Sequence, residues 1–143
     1  AADFRIGAED CFLFYPEIDL GLNLMWQSLP RTVRMLGETR ALRLVIGGEH
    51  AYAPTLLDWG VLERIVPVNE LIDSACEFAR TYASKAPIAA QMIKRSVNAI
   101  GGSLDQAIMH MDVDQHMMVG STSDHSAAVE AYLEKRTGEF IGN

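Results

Sequence analysis

The rhythm of apolar and polar positions changes along the chain. Phe4 to Ile6 and Cys11 to Tyr15 are short apolar runs split by the turn-like Gly7-Ala8-Glu9-Asp10, and both read as strands. Past Glu17 the period lengthens. Leu29, Val33 and Leu36 fall at helical spacing behind Ser28 and Pro30, and Gly37 ends the run. A second helix is predicted over 38–48, closed by Gly47-Gly48. A short third one spans 53–60, with Pro54 in its first turn and Gly60 past its end. Residues 61–66 read as a strand that Pro67 stops.

From Asn69 onward the pattern is helical throughout. With Asn69 as N-cap, Leu71, Ile72, Ala75, Phe78, Ala79 and Tyr82 share one face, opposite Glu70, Asp73, Glu77 and Arg80. Pro87 opens the next helix, which runs to about Ile100. Ser103-Leu104-Asp105-Gln106 reads as a capping box, with Leu104, Ile108, Met111 and Met118 striped behind it. A last helix is predicted from near Ser123 to Gly138. The order is thus a small sheet followed by a helical array with more apolar faces than the sheet can cover, which points to oligomerisation.

Composition narrows the class. A chain of 143 residues with 49% hydrophobic and 22% charged positions has the size and content of a globular protein with a core. The net charge of −7 argues against nucleic acid as a partner, since no basic patch is dense enough to neutralise many phosphates. No apolar run approaches a membrane span, so no membrane partner is expected. Cys11 and Cys76, each beside apolar residues, read as core fillers in a reducing, cytoplasmic compartment. The first strand has no preceding partner, so a second piece of polypeptide is expected to complete the sheet.

One acid stands out. Glu17 follows Phe12–Tyr15 and Pro16 and lies among Ile18, Leu20 and Leu22. By local pattern alone it is a strand-end surface residue or a chemical group. A carboxyl walled by apolar groups holds its proton more tightly, and a general acid or base works best with proton affinity near the working pH. The motif His110-Met-Asp112-Val-Asp114-Gln-His116 suggests metal. On a helix, however, His110 with Asp114 and Asp112 with His116 point in different directions, so no metal site is expected.

Read together, the segments "ADFRIGAEDCFLFYPEIDLG", "PRTVRMLG", "GGEHAYAPTLLDWGVLERIVP" and "AAVEAYLEKRTGEF" resemble, in collinear order, the C-terminal half of the crotonase family of enoyl-CoA hydratases and isomerases. The resemblance implies an α/β fold. Residues 1–67 would form the C-terminal part of the crotonase ββα spiral, and residues 68–143 a helical region for trimerisation and coenzyme A binding. It implies that Glu17 moves a proton at the carbon beside a thioester carbonyl. It also implies that Tyr132 and Lys135 meet coenzyme A from a neighbouring subunit, and that His116 lies near a ligand-facing position. Arg31 and Arg34 follow the family pattern, with surface ion pairing as the alternative. Coenzyme A would enter as part of the substrate, with no covalently bound cofactor, and the assembly would be a homotrimer or a dimer of trimers.

Two departures qualify this reading. The family's Pro-Gly-x-Gly-Gly-Thr-Gln loop stands here as "LMWQSLP", with Met25, Gln27 and Ser28 in place of glycines. Methionine would narrow the region where a hydratase seats its water, and Met25 and Trp26 would instead shape an acyl pocket, with plain packing as the alternative. In addition, the family's second catalytic glutamate and its oxyanion amides would lie upstream of Ala1, in an N-terminal half that must accompany the chain. The expected function is reversible hydration of a 2-enoyl-CoA, with double-bond isomerisation, or a non-catalytic oligomerisation module, as alternatives.

Overall fold

The computed structural model describes residues 2–143, with the side chain of His110 outside the description. The strands are β1 (Ile6–Ala8), β2 (Phe12–Leu13), β3 (Ala51–Tyr52) and β4 (Arg64–Val66). The helices are α1 (Leu29–Leu36), α2 (Glu38–Val45), α3 (Ala53–Asp58), α4 (Leu71–Ala83), α5 (Pro87–Gly101), α6 (Asp105–Gly120) and α7 (Ser123–Glu134), with single 3-10 turns at Glu17–Leu20 and Val68–Glu70. They form two compact units, each drawn from two separated stretches: Ala1–Leu13 with His50–Ser103, and Phe14–Glu49 with Leu104–Asn143.

In the first unit β1 pairs with β4 in parallel, Gly7 opposite Ile65. β2 pairs with β3 antiparallel, Phe12 opposite Tyr52. Each is a two-stranded sheet. Gly7 leaves room for its neighbours, since a Cβ there would sit 2.5 Å from Leu62 Cδ1 and 2.8 Å from Cys11 Sγ and would push those side chains aside. The Arg5 guanidinium donates to the Val61 carbonyl at 2.6 Å, holding the start of β1 against the chain that enters β4. Ala51, Ala53, Leu56, Trp59, Val61, Leu62 and Val66 form the core. Phe4 stacks on Tyr82 with centroids 4.2 Å apart and meets Phe78 edge-on at 5.5 Å, so α4 turns this edge toward β1. Every residue of α5 is exposed, its apolar side chains Ile88, Met92, Ile93, Val97 and Ile100 included.

The second unit is helical. Tyr15, Leu24, Leu36, Ala41, Leu44, Ala128 and Ala131 are buried, Leu44 completely. Full burial of one such leucine contributes about 1.5–3 kcal/mol. Tyr15 and Thr32 join hydroxyls at 2.9 Å, and Thr32 donates to the Ser28 carbonyl at 3.0 Å, which fixes Tyr15 to the start of α1. Arg34 pairs with Asp105 at 2.6 Å and ties α1 to the first turn of α6.

The structure corrects several readings. The first strand is displaced to Ile6–Ala8, taking in Gly7 and Ala8 of the expected turn, and the second is cut to Phe12–Leu13; they belong to two different sheets, and each finds a partner inside the chain. Asn69 lies within a 3-10 turn and does not cap α4. Ser103 turns its hydroxyl back to the Ile100 carbonyl at 3.0 Å, so the capping box does not form. The cap that does form is at α7, where Thr122 accepts from the His125 N–H at 3.1 Å. That helix ends at Glu134, four residues early, because Lys135 adopts the left-handed conformation with φ of 55°. Cys76 is exposed on α4 and is no core filler. The stripe Leu104, Ile108, Met111 and Met118 on α6 is also exposed, and the side facing the unit carries Asp112 and His116 instead.

Candidate active site

Glu17 opens a 3-10 turn directly after Pro16. The turn is closed by the Leu22 N–H donating to the Glu17 carbonyl at 2.9 Å and the Gly21 N–H to the Ile18 carbonyl at 3.0 Å. It is also held from α7. His125 Nδ1–H donates to the Leu20 carbonyl at 2.7 Å. Gly21, at φ of 63°, lets the two backbones approach so closely that a Cβ would lie 3.1 Å from His125 Cα and from Ala128 Cβ. The acid is therefore presented from a short, doubly braced turn.

The two carboxylate oxygens of Glu17 differ. Oε1 accepts the Trp26 indole N–H at 3.0 Å. Oε2 is buried and has no hydrogen-bond partner among the described residues. A buried acceptor without a donor is costly, and one kept in a folded protein calls for a partner such as water or a ligand, or for a catalytic role. Trp26 also leans on Tyr15, centroids 5.8 Å apart, while 57% of its own surface remains exposed. Met25 beside it is about half exposed.

The loop that carries Trp26 is gripped by α6. His116 Nδ1–H donates to the Asn23 carbonyl at 3.1 Å, and the Asn23 amide reaches the Asp112 carbonyl at 3.5 Å and Gln115 Oε1 at 3.3 Å. The Gln27 backbone N–H acts on the Asp112 carboxyl in the direction that favours its ionised form. Gln27 itself has φ of 58°, a left-handed conformation that costs a residue with a Cβ about 1–2 kcal/mol. Asp112 is only 2% exposed, and its Oδ2 has no hydrogen-bond partner among the described residues. Burial raises its carboxyl pKa above the ordinary value, more than the Gln27 N–H lowers it.

Tyr132 and Lys135 stand elsewhere in the same unit. They line a cavity of about 700 Å³ with Ile18, Asp19, Ile46 and Arg136. Arg136 is held cationic by Glu134, which accepts its Nε–H at 2.5 Å. The cavity touches the turn of Glu17 through Ile18 and Asp19, but the Glu17 side chain does not line it. Among the described residues no three His, Cys, Asp or Glu side chains come together as a metal site. No helix among them is long and apolar enough to cross a membrane.

The predicted residues thus fall into three places: Glu17 with Trp26 and nearby Met25, His116 behind the loop, and Tyr132 with Lys135 around the cavity. Asp112 was weighed only as a metal ligand. Its spacing from Met109, His116 and Val119, three, four and seven residues away, marks the inward side of α6 and was the available signal.

Short strands followed by a helical array, with one acid offered from a braced turn, define a crotonase-like α/β protein. The sequence profile described as enoyl-CoA hydratase/isomerase matches residues 1–143, and the chain belongs to that family. It is 27% identical to a short-chain-enoyl-CoA hydratase of Clostridium acetobutylicum, covering 100% of this chain and 55% of that protein. It is 30% identical to a probable enoyl-CoA hydratase, echA8, of Mycobacterium tuberculosis, covering 96% and 54%. A carnitinyl-CoA dehydratase structure from Mycobacterium avium shares the fold, with a TM-score of 0.88 at 22% identity over 99% of this chain and 57% of that one. The chain spans about half the length of these relatives.

Proposed function

We propose that the protein carrying this chain acts on an acyl-CoA thioester, and that its reaction is the reversible hydration of a 2-enoyl-CoA with Glu17 as general acid/base. In the hydration direction water supplies hydroxyl to C3 and a hydrogen to C2, with the negative charge passing through the thioester enolate. The observation that supports this most is the unequal carboxylate of Glu17. One oxygen is anchored by an indole N–H, and the other is buried with no partner of its own. A group in that state is oriented and free to exchange a proton with a ligand. Enolate stabilisation falls to backbone amides of the N-terminal half, outside this chain.

Tyr132 and Lys135 are proposed to meet coenzyme A, and Met25 and Trp26 to bound the acyl group. His116 would reach a ligand only through Nε2, since Nδ1 is taken by Asn23. The outward apolar side of α5 supports assembly into a homotrimer or a dimer of trimers. Replacement of the loop glycines by Met25 and Gln27 favours a second reading, isomerisation of the double bond, which needs no seated water.

Glu17→Gln in the complete protein separates these readings when crotonyl-CoA hydration and double-bond migration are followed in parallel. Loss of about 10²–10⁴-fold in kcat for one reaction identifies it. Unchanged turnover of both would remove Glu17 from the mechanism. A purified assembly with neither activity, in which the chain exists as a lone folded species, would instead favour an oligomerisation module.

A further inference from the structure

We propose that residues 137–143 form a strap that walls the cavity of Tyr132 and Lys135, and that Asp124 is the positioning residue that latches it. The left-handed turn at Lys135 ends α7, and the chain then returns to the first turn of that helix, where Asp124 stands. Among the described residues no backbone–backbone hydrogen bond holds 137–143. The Asp124 carboxylate holds the segment instead. Its Oδ1 accepts the Ile141 N–H at 2.8 Å, and its Oδ2 accepts the Gly142 N–H at 2.9 Å. The neighbouring Ser123 hydroxyl donates to the side-chain carbonyl of Asn143. Both oxygens of one carboxylate are thus taken up by two consecutive amides, and hydrogen bonds to an ionised acceptor are the stronger kind.

The strap contributes a surface. Thr137, Gly138 and Phe140 line the cavity together with Tyr132 and Lys135, all within one unit. The Phe140 ring folds back over Gly138, where a Cβ would lie 2.6 Å from its Cζ and 2.9 Å from its Cε1. Phe140 is 56% exposed, so the course of the strap largely decides where its ring stands. The latch begins at the very next residue, and fixing the Ile141 and Gly142 amides fixes how Phe140 leaves the backbone. An acid in the first turn of a helix also complements the helix dipole. That role does not account for both oxygens meeting the strap. The inference rests on the reading that this cavity takes coenzyme A only for its kinetic readout; its structural readout needs no activity.

The test uses the complete protein carrying this chain, with hydrogen exchange resolved to single amides. In the unaltered protein the Ile141 and Gly142 amides should exchange at least about tenfold more slowly than open-loop amides, and Asp124→Ala should abolish that protection. Asp124→Ala should also raise KM for the acyl-CoA substrate about twofold to tenfold, the scale of leaving one side chain unordered, with kcat nearly unchanged. Phe140→Ala, which leaves α7 untouched, should raise KM to a similar extent. The double variant should bind no more weakly than the weaker single one, because both changes remove the same wall.

Ile141 and Gly142 amides that exchange as fast as open loop overturn the proposal without any variant having to fold. So does protection that survives Asp124→Ala, the result expected of an acid that serves only the helix dipole. A KM raised by Lys135→Ala and left alone by either Asp124→Ala or Phe140→Ala overturns it as well, and so do KM effects that multiply in the double variant. If the exchange behaves as stated and none of Lys135→Ala, Asp124→Ala and Phe140→Ala moves KM, the latch holds and the coenzyme A reading of the cavity fails.

Discussion

Gly21→Ala should be a strongly damaging single-methyl change in the second unit. Two costs add. Gly21 has φ of 63° and ψ of 32°, the left-handed region, where an alanine costs about 1–2 kcal/mol. Its new Cβ would also lie 3.1 Å from His125 Cα, 3.1 Å from Ala128 Cβ and 3.3 Å from the Asp124 carbonyl oxygen. Two of those atoms are backbone and cannot rotate away, so α7 must shift, at an overpacking cost of about 1–3 kcal/mol. The total is about 2–5 kcal/mol. With a urea slope of about 2 kcal/mol/M, the unfolding midpoint should fall by about 1–2.5 M. Gly60→Ala is the matched control. Gly60 has φ of 72° and nothing within 4 Å of its would-be Cβ, so only the conformational part remains. Urea titrations of both variants by circular dichroism decide the matter. If Gly21→Ala costs no more than Gly60→Ala, the close approach of α7 to the turn of Glu17 is not a tight contact, and the bracing argument fails.

Two other predictions bear on the same unit. Leu44→Ala, at a side chain with no exposure, should cost about 2–5 kcal/mol in chemical denaturation, whereas Leu44→Met should cost less than about 1.5 kcal/mol; equal effects would contradict a packed core there. Asp112→Asn should change how stability depends on pH. Burial raises the native pKa of Asp112 above its ordinary 3.8, so between the two values the native state binds more protons than the unfolded one. The stability Asp112 contributes is full below 3.8 and is lost as pH rises through the native pKa. Asparagine does not titrate, so the stability of the variant relative to the unaltered protein should climb with pH; a flat difference from acid to neutral pH would refute the burial of this carboxyl.

Much of the helical order was legible because its signals are local. Ser28-Leu29-Pro30 and Gly37 bracket α1, and Pro87 opens α5, where a missing N–H and a fixed φ act on neighbouring residues. The pairing of β1 with β4 was not legible, since a parallel partner more than fifty residues away leaves no mark in either strand. Asn69 and Ser103 carry the chemistry of caps, and yet the local backbone turned both aside: Asn69 lies inside a 3-10 turn, and the Ser103 hydroxyl goes back to the Ile100 carbonyl. The apolar stripe of α6 misled for a related reason. Hydrophobicity marks a side to be covered, and in the chain by itself that side lies open while Asp112 faces inward. Glu17 stood out as an acid in apolar company. Its indole partner did not, because Trp26 reads as packing until the loop turns it back.

The unequal oxygens of Glu17 have one stereochemical consequence. With Oε1 tethered to an indole, any hydrogen this acid delivers or removes must travel through Oε2, from a single direction fixed by the scaffold. If Glu17 acts as proposed, a product formed in heavy water should carry its deuterium on one prochiral face of the acyl chain, and untethering the carboxyl by Trp26→Phe should scramble that label.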